Sequence, residues 1–272
     1  MTRWRITPRL VLLAATLLGA GNAAFAETLR VGGSGAAIGM LPHLFAAFEH
    51  NDEVKLEVIP SLGSSGGLRA LSEGVLDIAV SGRALKPEEL AQGLTQSVAI
   101  RTPFVFVTSH PRPNGFKSSE VADIFKSAKA TWADGSPVRV ILRPKSDSDT
   151  ATMGRLFPDM TAAIEQARRR PGLPTAATDQ DNADLAERVA GSLTGSTLTQ
   201  IKMERRNLRF VAIDGVEPSL ENLERGTYPF AAIVHFVLPA KKNPVAERFV
   251  GFLRSPAGQA ALVATGNILI AN

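Results

Sequence analysis

Apolar and polar positions along this chain follow two periods in turn. A two-residue period, the mark of a half-buried strand, runs through Thr28 to Gly32, Val54 to Ile59 and Leu76 to Val80. Between these, a period near 3.6 predicts helices over Leu41 to Phe48, Leu68 to Glu73 and Glu88 to Gln92. Such alternation predicts an α/β fold, with mainly parallel sheets and crossover helices. Two apolar extended stretches, Thr102 to Thr108 and Tyr228 to Val234, break the rhythm. The segment between them has its own set, with strands at Val138 to Leu142 and Leu208 to Ile213 and helices at Glu120 to Ser127, Thr150 to Phe157 and Ala183 to Ala190. Two helices close the chain, near Val245 to Leu253 and Pro256 to Ala264. An α/β block set between two extended stretches predicts two lobes joined by two crossing strands, residues 27–108 with 228–272 in one and 109–227 in the other. Ligands then belong in the cleft, although the pattern also permits a single doubly wound sheet.

The first residues do not belong to this pattern. Arg3, Arg5 and Arg9 precede an apolar run from Leu10 to Gly19, and Ala24-Phe25-Ala26 stands before Glu27. This is the three-part form of a secretory signal peptide, residues 1–26, and its apolar run is shorter than the ~20 residues that cross a bilayer. Without that segment the formal charge of +4 loses three arginines and becomes +1, so nothing in the charge calls for nucleic acid or a membrane surface as partner. The chain has no cysteine, which excludes disulfides, thiolate metal sites and a lipidated cysteine anchor. The expectation is a soluble, monomeric periplasmic protein. Trp132 and Tyr228 are the only Trp and Tyr beyond the signal, which argues against sugars and flat organic ligands. Arg168-Arg169-Arg170 and Arg205-Arg206 read as solvated surface.

Gly63-Ser64-Ser65-Gly66-Gly67 stands between a strand and a helical pattern, and so predicts a strand-to-helix turn. Glycines let the backbone approach a ligand, serines add hydroxyl donors, and the first amides of the following helix point outward at its positive end. An ordinary Ser N-cap explains the same residues.

In order and spacing, the short motifs resemble those of the phosphate-binding type of periplasmic solute-binding protein, the receptor of an ABC importer. They are Val31-Gly32-Gly33-Ser34-Gly35-Ala36-Ala37-Ile38, the Gly63–Gly67 turn, Asp77-Ile78-Ala79-Val80-Ser81, Arg143 before Ser148-Asp149-Thr150, Gly226-Thr227-Tyr228-Pro229-Phe230, and Ser255-Pro256-Ala257-Gly258-Gln259. The resemblance spans nearly the whole chain after the signal and implies a two-lobed type II periplasmic binding fold that closes on a tetrahedral oxyanion. The donors it implies are the amides of Ala37 and Ile38, Ser64, Ser65, Ser81, Arg143, Ser148, Asp149 and Thr150. Independently, Arg143 follows the apolar strand Val138 to Leu142, which aims it at the crevice where α/β proteins bind ligands. Backbone amides, hydroxyls and one planar guanidinium suffice to hold such an anion without metal or cofactor.

Two positions depart from the family pattern. Ala37 stands where a threonine hydroxyl is usual, and Gly82-Arg83 where an aspartate would accept a proton from hydrogen phosphate and repel sulfate. Asp149, or else Asp147, is the candidate replacement acceptor; as a helix-start acid, Asp149 has an equally ordinary role beside the dipole. Arg83 is either a second cation for the ligand or a loop clamp. An enzyme is not expected: His43, His50, His110 and His235 lack metal-ligand spacing, and no nucleophile elbow, zinc helix or Walker loop is present. Phosphate is the favoured cargo and a membrane ABC permease the expected partner. The alternatives are molybdate, tungstate, sulfate or a small carboxylate, or service as a periplasmic sensor subunit.

Overall fold

The computed structural model describes residues 27–48, 54–60, 62–241 and 243–271; the expected signal peptide, 1–26, lies outside the described residues. The first part of the chain forms β1 (Glu27–Gly33), α1 (Gly35–Ile38), α2 (Leu41–Phe48), β2 (Val54–Ile59), α3 (Gly63–Ser72), β3 (Ile78–Ser81), α4 (Pro87–Ala91) and β4 (Thr95–Thr108). Then come α5 (Val121–Lys126), β5 (Arg139–Val140), α6 (Ser148–Leu156), α7 (Met160–Arg168), α8 (Asp179–Arg188), β6 (Ser192–Thr197), α9 (Leu198–Met203), β7 (Arg209–Val211) and α10 (Leu220–Glu224). The chain closes with β8 (Ala231–Leu238), α11 (Pro244–Arg254), α12 (Pro256–Ala264) and β9 (Ile268–Leu269).

One strand organises the molecule. The strands order as β2-β1-β3-β8-β4-β6-β5, with β7 and β9 also paired to β4. β1 runs parallel to β2 and β3, and β5 parallel to β6, while β4 and β8 join them antiparallel. The 95–103 half of β4 pairs with β8 and β9; its 104–108 half pairs with β6 and β7. β4 therefore belongs to two sheets, and the change of partner falls at Pro103-Phe104. There the Phe104 amide donates to the Phe230 carbonyl at 2.9 Å, and the buried Tyr228 hydroxyl donates to the Phe104 carbonyl at 2.8 Å.

Separate cores follow from this division. Leu29, Val31, Ile78, Phe236 and Phe249 are buried together on one sheet, whereas Phe106, Phe125, Trp132, Phe157 and Tyr228 pack together on the other. Both faces of the 104–108 half of β4 feed cores, because its side chains alternate across the sheet: Phe104 and Phe106 enter one, Val105 and Val107 another.

The elements differ from the sequence expectation at specific places. Gly63–Gly67 is the first turn and a half of α3 and not a turn ahead of it, so the helix starts five residues earlier than its apolar period indicates. Ser192–Thr197 has too many hydroxyls to read as a buried strand, yet all six residues of β6 are buried. Their hydroxyls find partners: Ser192 donates to Ala186 O, Thr194 to Asn182 Oδ1 and Ser196 to Gln200 Oε1, which removes most of the cost of burying them. The arginine runs are also less exposed than expected. Arg168 donates to the Arg143 carbonyl, Arg170 to the carbonyls of Phe125 and Ser127, and Arg206 pairs with Glu204 and Asp184.

Candidate functional site

Three chain reversals converge on one cleft. At the carboxyl end of β1, Gly33 adopts φ +128°, and a Cβ there would lie 2.1 Å from the Val80 carbonyl oxygen, so only glycine fits between β1 and β3. α3 lies against this point because Gly67 has no side chain; a Cβ on it would stand 2.5 Å from Gly33 Cα. The start of α3 then faces the start of α6. Ser64 Oγ accepts the Gly82 amide at 2.9 Å, and Ser64 and Ser148 hydroxyls meet at 3.4 Å. Between the helix starts is a cavity of about 210 Å³ lined by Gly63 to Gly66, Arg83, Ser146 to Ser148 and neighbours. It is small beside the roughly 300–1,000 Å³ of sites for drug-sized ligands, and in scale with an inorganic anion. A larger hollow of about 550 Å³ along 137–140 and 170–174 lies away from these helix starts, and its Arg170 is spent on backbone carbonyls.

Behind the α6 start sits a buried ionic cluster. Arg143, 2 % exposed, donates from Nη1 to the Ala176 carbonyl at 3.0 Å and from Nη2 to Asp147 at 2.7 Å and Asp179 at 3.2 Å. Asp147 is the N-cap of α6, accepting the Asp149 amide at 2.9 Å, and it also lines the small cavity. Asp179, at the start of α8, accepts the Ala36 amide at 3.1 Å. Arg143 Nε and Asp149 Oδ2 are buried without a hydrogen-bond partner among the described residues.

Burial raises the Asp149 carboxyl well above its ordinary value, and the nearby Asp179 and Asp147 push the same way. Burial also raises Asp179, to about 6, against the opposing pull of Arg143. The environment thus favours the neutral form of the Asp149 carboxyl, which still accepts through its carbonyl oxygen, and the residue stands behind the cavity and not on its lining.

The expected site residues divide into those that reach the cavity and those that are spent elsewhere. Ser64, Ser65 and Ser148 line the cavity; Arg143 and Asp149 form the cluster behind it. The Ser81 hydroxyl donates to the Arg83 carbonyl and Thr150 to the Pro144 carbonyl, so both are engaged within their own turns. The Ala37 amide donates back to Ser34, and Ile38 ends the four-residue α1; the amide of this turn that reaches across to the ionic cluster is Ala36. Arg83 is bidentate to Glu89 at 2.7 and 2.8 Å, its Nη2 also reaches Ser65 Oγ at 3.2 Å, and it lines the cavity as well. Sequence reasoning missed Asp179 and Ala36. Thr178-Asp179-Gln180-Asp181 does carry a helix-start signal, but nothing in it shows a contact 143 residues away.

Comparison with known proteins agrees with this architecture. The chain matches the PBP superfamily domain over residues 19–257 and belongs to that family. It is 24 % identical over 249 residues to the phosphate-binding protein PstS of Bacillus subtilis, covering 87 % of this chain and 78 % of that one. A substrate-binding protein of Clostridium perfringens, assigned to phosphate ABC transport and crystallised with bound phosphate, superposes with a TM-score of 0.72 at 18 % identity, over 90 % of this chain and all of the other. A high affinity periplasmic phosphate-binding protein, PfluDING, bound with phosphate, does so with a TM-score of 0.67 at 13 % identity, over 89 % and 90 % of the two chains. These structural likenesses establish the two-lobed α/β fold. No helix among the described residues is long and apolar enough to cross a membrane.

Proposed function

We propose that this member of the PBP superfamily domain family is a periplasmic receptor that captures an inorganic oxyanion, phosphate before others, and delivers it to an ABC importer. One observation carries the proposal: two helix starts with paired hydroxyls, Ser64 on α3 and Ser148 on α6, face each other across a small cavity with the buried Arg143 cluster directly behind it. Helix-start amides and hydroxyls favour a compact anion, and the guanidinium adds a fork that matches two oxygens. The family relatives named for phosphate binding support the same ligand.

In this proposal residues 27–108 with 228–272 form one lobe and 109–227 the other, and the anion is held by α3 from the first and α6 from the second. The protein acts by binding and closure and not by catalysis, as a monomer, after export directed by residues 1–26. The Asp179 carboxylate already sits on Arg143 and the Ala36 amide, which gives a small carboxylate ligand a specific claim as second choice. Calorimetric titration of phosphate-stripped protein with phosphate, arsenate, sulfate, molybdate, tungstate and acetate tests the proposal. Tight binding of phosphate and arsenate with sulfate rejected is the expected result; binding of acetate alone, or of none of the six, would overturn it.

A further inference from the structure

Asp179 stands in an unusual position for a helix-start acid. Its own helix does not need it: α8 is capped by Thr178, whose hydroxyl accepts the Asp181 amide at 3.0 Å while Asp181 accepts the Thr178 amide at 3.2 Å. Its carboxylate, 6 % exposed as a residue, instead spans to the first part of the chain, one oxygen on the Ala36 amide and the other on Arg143. The neighbouring Gln180 joins it by donating to the Gly35 carbonyl at 3.2 Å. The fit is close, because a Cβ on Gly35 would lie 2.5 Å from Gln180 Oε1 and 2.6 Å from Asp179 Oδ2.

We infer that Asp179 is an affinity-setting residue, a tethered carboxylate that holds donors an incoming oxyanion needs and that the anion must displace to bind; this rests on the oxyanion-receptor function proposed above. The case lies in the accounting of Arg143. Its Nη1 is committed to a backbone carbonyl and its Nη2 is divided between Asp147 and Asp179. Asp147 is fixed by its second task as the cap of α6, so Asp179 is the carboxylate that can leave without unravelling a helix start. Its departure would free an amide on one side of the cleft and a guanidinium edge on the other, a matched pair for two oxygens of one anion. A carboxylate held on both sides is also a latch, joining α8 to the α1 turn before any anion arrives.

The test compares phosphate-stripped wild type with Asp179→Ser and Asp179→Asn, and with Asp184→Asn as a charge control on the exposed side of the same helix. Phosphate affinity is measured by calorimetry, and the radius of gyration of the stripped proteins by small-angle scattering. A latch favoured about ten to one over its open form lowers apparent affinity by about the same factor. Asp179→Ser is therefore expected to bind phosphate about tenfold tighter than wild type, with Asp179→Asn between them, and its stripped form to be more expanded. Unchanged or weaker binding by Asp179→Ser at wild-type melting temperature would overturn the inference, as would equal tightening by Asp184→Asn, which would signify general charge repulsion. If none of the proteins bound any oxyanion, the receptor function would fall, and scattering alone would decide the latch: expansion of Asp179→Ser keeps it, no expansion removes it.

Discussion

Replacing Arg143 by methionine isolates the electrostatics of the buried cluster, because the apolar stem stays and the charge goes. The substitution removes one hydrogen bond to a carbonyl and two to carboxylates, at 3.0, 2.7 and 3.2 Å. All three bonds have the charged guanidinium as donor and contribute about 1.5–3 kcal/mol each, so the gross loss is about 4.5–9 kcal/mol. Part of it is recovered by proton uptake. Asp179, already raised to about 6, becomes neutral at little cost once its cation has gone, since each pKa unit is worth about 1.4 kcal/mol. The net expectation at pH 7.5 is a loss of about 3–5 kcal/mol, in line with stranding one partner of a buried ion pair. In a domain of this size that lowers Tm by about 6–20 °C. Urea unfolding followed by the buried Trp132 at pH 7.5 and pH 5 is the assay. The deficit should shrink at pH 5, where the stranded acids take up protons. A loss below about 1 kcal/mol, or the same loss at both pH values, would refute the picture of a coupled buried cluster.

Three further outcomes are expected. Because the folded Asp179 carboxyl lies above its ordinary 3.8, the folded state holds a proton that the unfolded chain has released between about pH 4 and 6, so this group makes stability fall as pH rises through that window. The contribution reaches about 3 kcal/mol, and urea midpoints of wild type minus Asp179→Asn across pH 4 to 7 should show that slope with this sign. Gly33→Ala should destabilise by roughly 2–4 kcal/mol, since its Cβ meets a backbone oxygen at a positive φ; a melting curve within a degree of wild type would contradict the packing of β1 on β3. Arg83→Ala should cost under about 1 kcal/mol, as its pair with Glu89 is partly exposed, and should leave anion affinity within a few fold; a tenfold loss of affinity would make Arg83 a ligand donor.

What the sequence disclosed depended on whether the signal was local. α2 at Leu41–Phe48 and β2 at Val54–Ile59 carry their boundaries in their own periodicity. β6 was invisible, because its burial is made tolerable by partners on α8 and α9 that no local pattern names. α7 had a signal that was overlooked: Met160, Ala163, Ile164 and Ala167, all buried, recur at helical spacing. Within the site, Ser64, Ser148 and Arg143 stood in recognisable motifs at chain reversals, whereas the Asp179 contact with Ala36 is a product of tertiary closure. Asp149 stands at a helix start as its sequence indicates, but its carboxyl is raised chiefly by burial and by Asp179, which a single sequence does not place beside it.

The double membership of β4 bears on how the protein can be divided. In the second sheet, Phe106 pairs with Gly195 of β6 on one side and with Val211 of β7 on the other, so β4 is the middle strand there. The core beneath it also takes Tyr228, Phe230 and Ala232 from beyond the inserted segment. Residues 109–227 expressed alone would lack their central strand and part of their core. That segment is therefore not an exchangeable cassette: grafted between relatives it would have to carry 104–108 and 228–232 with it, and in hydrogen exchange the amides of Val105 to Val107 should open only when the whole molecule unfolds.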